Sequence, residues 1–160
     1  MLYPQLLDSD FAKMPRVLRE FHSSLGERRA HGTVTVRHEN RWLARMSGFP
    51  PSGTNIRLQL DVTAGDNEEI WIRHFGASVL QTVQRRHGDL LLEAAGRVWV
   101  FFRVSADCFG MRFESERVRF WKIPLPVRIR AEARGNQSSW EIEVTVKGVG
   151  SYCGVVVPTT

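Results

Sequence analysis

Glu68-Glu69-Ile70-Trp71-Ile72-Arg73-His74-Phe75-Gly76 is the stretch whose reading decides the fold. Successive side chains of a strand point to opposite sides. Glu69, Trp71, Arg73 and Phe75 therefore share one face, and Ile70, Ile72 and His74 the other. Both faces are largely apolar, which predicts a central strand covered on both sides. An acid, a base and an indole then project into whatever space the sheet encloses, either as a pocket wall or as a buried ion pair.

Working outward, the same period of two runs through most of the chain. Ile56, Leu58, Leu60 and Val62 oppose Arg57, Gln59 and Asp61 just upstream. Turn residues at 64–67, 76–77, 87–89 and 95–96 separate strands predicted over 69–75, 79–85, 90–93 and 97–104. The run 109–121 keeps Phe109, Met111 and Phe113 in phase and then switches to Val118 and Phe120, which predicts a bulge or bend near 115–117. Pro124-Leu125-Pro126 makes a corner. The last hairpins set Val127, Ile129, Ala131 and Ala133 inward with Trp140, Ile142, Val144 and Val146. Arg128, Arg130 and Arg134 share the outer side with Glu141 and Glu143 as a solvated ladder. The closing strand, 149–157, carries Tyr152.

The chain begins differently. Asp8, Ser9 and Asp10 precede Phe11, Met14, Leu18 and Phe21 at near-helical spacing, and Pro15 divides this segment into a short turn and a second helix that takes the proline early. His22 falls near the end of that helix, where a cationic imidazole would interact favourably with the helix dipole. Val34 and Val36 alternate with Thr33, Thr35 and Arg37 in a first strand over 32–37. Asn40 caps a helix that stops at Gly48, and Gly48-Phe49-Pro50-Pro51-Ser52-Gly53 breaks regular structure. The expectation is one α+β domain over 1–160, with a helical start and first strand in 1–48 and an antiparallel sheet over 55–157. Its large curved antiparallel sheet of eight to ten strands, a meander or half-barrel, packs against the short N-terminal helices, which plug or cover the concave side.

Composition narrows the function. The 160 residues, 42% hydrophobic and 24% charged, make one globular domain that buries roughly 70% of its unfolded surface. No apolar run approaches the roughly 18 residues of a membrane span. Met1-Leu2-Tyr3-Pro4-Gln5 has no basic region of a secretory signal, so a cytoplasmic location is expected. Cys108 and Cys153, without a CxxC, read as partly buried free thiols, with a disulfide as the minority alternative. The net charge of +5 is spread among 17 acids, which argues against a nucleic-acid partner.

Phe11 with Pro15, His22, Gly48-Phe49-Pro50-Pro51, Glu69-x-Trp71-x-Arg73-x-Phe75, Glu93 with Gly96, Pro124-Leu125-Pro126 and Tyr152-x-Gly154 together resemble the bacterial domain-of-unknown-function family 4166 (DUF4166), over nearly the whole chain. The resemblance implies a stand-alone domain, or one that works with a nucleotide-binding, dehydrogenase-like protein. Because this chain has no Gly-rich dinucleotide fingerprint, that partner would be a separate protein.

Three functions compete for the same residues. In the first, Glu69, Trp71, Arg73, Glu93, Tyr152 and His22 line a pocket for an apolar or anionic small molecule, with arginine as a fork and tryptophan as a flat wall. The second is a protein-interaction or structural module. The third is an enzyme using His22 or His74 with Glu69 or Glu93 as acid and base. No GxSxG, HExxH or P-loop motif is present, and neither a cofactor nor a metal is expected. The non-catalytic binding module is the preferred reading.

Overall fold

The strand that opens the sheet and the strand that ends it lie side by side. In the computed structural model, which describes residues 1–159, β1 (Gly26–His38) pairs antiparallel with the final strand (Gly150–Thr159), from Arg29 opposite Thr159 to His38 opposite Gly150. Between them run β2 (Gly53–Ala64), β3 (Glu68–Phe75), β4 (Ser78–His87), β5 (Leu90–Ala95), β6 (Val98–Ala106), β7 (Gly110–Phe120), β8 (Ile123–Leu125), β9 (Ile129–Gly135) and β10 (Trp140–Val146), making the last strand β11. Each strand pairs antiparallel with its neighbour in sequence, except that the short β8 and then β9 share one side of β7. Ten strands thus close into an up-and-down barrel, with β8 as an appendage.

This corrects the expected α+β open sheet. Strands take 60% of the residues and helices 16%, and the wall has no free edge along the β1–β11 seam. The physical reason lies in twist. Ten strands each rotated by roughly 20° to 25° curl until the outer two meet, and pairing them satisfies two rows of backbone groups that an open sheet leaves bare. Glycine allows the close approach at the seam: a Cβ at Gly32 would stand 1.9 Å from the Val155 carbonyl oxygen, and one at Gly154 2.0 Å from that of Thr33.

Closure also changes what covers each face. Glu69, Trp71 and Phe75 are buried inside the barrel, whereas Ile70, Ile72 and His74 are only half-buried on the outer wall. No second layer covers them, contrary to expectation. In the outer wall Arg112 pairs with Glu132, Arg130 with Glu114 and Arg85 with Glu68. The ladder is solvated as expected, but its acids are not Glu141 and Glu143. Cys108 and Cys153 are free and exposed rather than partly buried. The register of β6 on β7 slips between Phe101–Arg117 and Phe102–Ser115, leaving Glu116 as the extra residue of a bulge within the predicted 115–117.

Helices close one end. α1 (Leu2–Leu7), a 3-10 helix (Asp8–Lys13) and α2 (Arg16–His22) precede the barrel. Leu2, Tyr3, Leu7 and Met14 pack on Leu91, Val100, Phe102 and Met111. Val17, Leu18 and Phe21 pack on Ala30, Trp71, Trp140 and Val156. α1 has no counterpart in the sequence reading, and Pro15 is the residue immediately before α2. α3 (Arg41–Met46) lies at the opposite end, capped by the Asn40 side chain, which accepts from the Leu43 N–H at 3.0 Å. That end is the mouth. Among the described residues no helix is long and apolar enough to cross a membrane.

Candidate functional site

Strand alternation aims Glu69, Trp71, Arg73 and Phe75 of β3 into the barrel, and pairing brings Thr82 of β4 directly opposite Trp71. The polar members form two clusters joined by the tryptophan. Near the helical floor, Arg28 Nη2 lies 2.9 Å from Glu69 Oε1, and the Trp71 indole N–H donates to Glu69 Oε2 at 3.0 Å. Arg28 also donates through Nη1 to the Phe21 carbonyl, while its Nε and Nη2 make no aligned hydrogen bond. The Nη2 contact with Glu69 is therefore chiefly electrostatic.

Midway up the barrel, Arg73 Nη2 lies 2.9 Å from Glu93 Oε1, and Arg73 Nη1 donates to Thr82 Oγ1 at 2.8 Å. The Arg73 guanidinium also sits 5.1 Å from the centre of the Trp71 ring, within cation–π range.

Two spaces flank this second cluster. A deep cavity of about 120 Å³ lies toward the floor, bordered by Tyr3, Leu18, His22 and Trp71. An outer cavity of about 370 Å³ opens at the mouth past Phe49 and Pro50. Arg73, Glu93, Phe102, Ala131, Val144 and Tyr152 border both, so the Arg73–Glu93 pair stands where they meet. A larger hollow of about 870 Å³ lies elsewhere, bordered by the charged Glu114, Glu116, Arg117, Arg128, Arg130 and Lys147 around the break between β8 and β9. Val118, Leu125, Val127 and Ile129 also border it, so its lining is mixed rather than the predominantly apolar one of a ligand pocket.

Burial sets the protonation states. Desolvation, with Arg28 adding to it, lowers the His22 pKa to about 3, so this imidazole is neutral. That overturns the expectation of a cationic helix end. His22 instead stacks on Trp71 at 5.8 Å and lies 4.2 Å from Tyr3, with Nδ1 buried and unpartnered. Burial raises the Glu69 pKa, with Arg28 and Trp71 opposing. Burial pulls the Arg73 pKa down, but Glu93 and then Tyr152 outweigh it and hold it above its ordinary value. The Tyr3 and Tyr152 phenols are raised chiefly by burial. Both stay protonated and able to donate.

The structure therefore brings Trp71, Arg73, Glu93 and Tyr152 to one cavity wall, with His22 and Glu69 toward the floor. His74 is excluded from them: it lies on the outer wall with Nε2 3.2 Å from Asp61 Oδ2, so it forms no acid–base pair with Glu69 or Glu93. Sequence reasoning missed Arg28, Tyr3, Thr82 and Gln84, although Tyr3 donates to Gln84 Oε1 at 2.8 Å in the interior. In β4 the valines Val79 and Val83 face outward while Thr82 and Gln84 face in, reversing the usual pattern. Counting register across the turn from Trp71 would have found Thr82. No family model, curated protein or solved structure matches the chain.

Proposed function

We propose that the chain is a non-catalytic binding module that holds a small molecule inside the barrel, its apolar body in the outer cavity and its anionic or hydrogen-bonding end at Arg73. The observation that carries this reading is a charged pair at the junction of two apolar spaces, open to one of them: the Arg73 and Glu93 side chains keep 14% and 16% exposure. A purely structural pair would be sealed, as Arg28 and Glu69 are at 6% and 2%. The outer cavity alone lies within the volume range of small-molecule sites. Tyr152 and Thr82 add hydroxyls beside the guanidinium, and Leu80, Val100 and Phe102 supply apolar walls of the outer cavity.

A screen of fatty acids, isoprenoid acids and aromatic acids against their uncharged analogues tests it. A ligand held only by the folded state raises the melting temperature by mass action, and one bound at Arg73, whose guanidinium lies 5.1 Å from the Trp71 ring centre, changes the Trp71 fluorescence. Absence of both signals across the screen would overturn the proposal and leave Arg73–Glu93 as a stabilising pair.

A further inference from the structure

We infer that the mouth of the barrel docks on an anionic lipid surface, so that the cavity opens onto the membrane interface. Charge is distributed unequally between the two ends. The connections at the mouth, residues 39–52, 76–77, 96–97, 121–122, 126–128 and 147–149, carry Arg41, Arg45, Arg97, Lys122, Arg128 and Lys147 against the single carboxylate of Glu39. The opposite end, residues 1–25 with the connections 65–67, 88–89, 107–109 and 136–139, carries Asp8, Asp10, Glu20, Asp66, Asp89 and Asp107 against Lys13, Arg16 and Arg19. The molecule is thus a dipole with its positive end at the opening.

The same connections expose large apolar side chains. Trp42 and Met46 of α3 are 67% and 68% exposed, and Trp121 and Ile123 at the β7–β8 turn are 61% and 64% exposed. α3 buries Ala44 and shows its bulkier residues to solvent, the reverse of a helix serving a core.

Trp121 is held in position at a cost. Its φ of 56° is a left-handed conformation that bulky residues avoid. The Trp121 N–H donates to the Arg97 carbonyl at 2.7 Å, and the Arg97 guanidinium lies 5.3 Å from the Trp121 ring centre. Tryptophans interleaved with arginine and lysine are the composition that settles at a headgroup layer. Two such rims facing one another would repel, which disfavours a second copy as the occupant. The outer wall carries paired Arg and Glu side chains among scattered exposed apolar ones such as Val79 and Trp99, which suits water rather than lipid tails. The closed end also exposes Leu25 and Phe109 but carries the acidic excess, so the rim is the part that matches an anionic membrane.

Docking does not require a loaded cavity, so it is measured on the protein alone, and its failure is separable from failure of ligand binding. The test is partition of the purified chain onto phosphatidylcholine vesicles with and without phosphatidylserine. Binding should need phosphatidylserine, weaken in high salt and shift tryptophan emission to the blue. Arg97→Glu with Lys122→Glu should lower the partition coefficient by well over tenfold, at about fivefold for each cation removed. Trp121→Asn suits the left-handed backbone, so it should leave the fold intact while reducing binding and the blue shift. Asp89→Asn at the closed end should change neither. The inference is overturned if the wild type does not bind phosphatidylserine vesicles, if the rim variants bind as wild type, or if sedimentation shows that the rim instead joins two copies.

Discussion

Arg73 on β3 reaches past β4 to Glu93 on β5, closing to 2.9 Å and donating on the way to Thr82 Oγ1 of the intervening strand. Three adjacent strands are thereby tied together from inside. Removing one partner leaves the other charge largely buried. Arg73→Met should cost about 3 kcal/mol of stability in denaturant unfolding. Adding Glu93→Leu should restore much of the loss, because no orphaned carboxylate remains. Equal losses in the single and double variants would mean that packing, not charge, sets the cost.

For the proposed ligand, a carboxylate end at this pair would make binding proton-linked. A ligand carboxylate placed beside Glu93 puts two like charges on one guanidinium, an arrangement relieved by taking up a proton. Titration calorimetry in buffers of different ionisation enthalpy should show uptake of about one proton for a carboxylate ligand and none for the matching alcohol. Arg73→Lys keeps the charge and loses the fork, so affinity for the acid should fall by about tenfold with less effect on the alcohol.

His22 makes the fold acid-sensitive. Burial holds its pKa at about 3 in the folded chain against an ordinary value of 6.5, so between those values the unfolded chain binds more protons. Stability from this residue is full above pH 6.5 and is lost as pH falls toward 3, with a slope of up to about 1.4 kcal/mol per pH unit. Glu69, whose pKa is raised by burial, acts oppositely: its contribution declines as pH rises from 4.5 to its folded pKa. Comparing wild type with His22→Gln isolates the histidine. The variant should lose less stability between pH 6 and pH 4, and parallel pH profiles would refute the assignment.

The seam should be the most glycine-dependent part of the wall. In Gly154→Ala the added Cβ would meet the Thr33 carbonyl oxygen at 2.0 Å, and that oxygen belongs to backbone, which yields poorly. A loss of about 3 kcal/mol is expected, with faster hydrogen exchange along β1 and β11 than along β3 and β4. An unchanged melting temperature would show that the seam relaxes freely.

How much of this was legible follows from where the information lies. The inward row of β3, the Asn40 cap and the slip at Glu116 are local: they depend on alternation or on residues a few positions apart. Pairing of β1 with β11 is not, since no turn joins them. The start of β1 was missed because Gly26-Glu27-Arg28-Arg29 looks like loop, although Arg28 is buried against Glu69. His22 was misread for a similar reason. Its helix position favours a cation, but the burial that neutralises it comes from Tyr3 and Trp71, contributed by distant segments.

The β1–β11 seam also sets the order of events in making the molecule. Arg29 cannot meet Thr159 until β11 has emerged from the ribosome, and wall-closing contacts so distant in sequence make folding slow, on the scale of milliseconds to seconds. Until then β1 offers one edge to solvent, and the apolar inward row Ala30, Val34 and Val36 has an incomplete barrel around it. The interval before closure is when the chain is most exposed to pairing with a neighbour. The cavity comes into being only when β11 seats against β1, so the enclosed space exists only in the closed barrel.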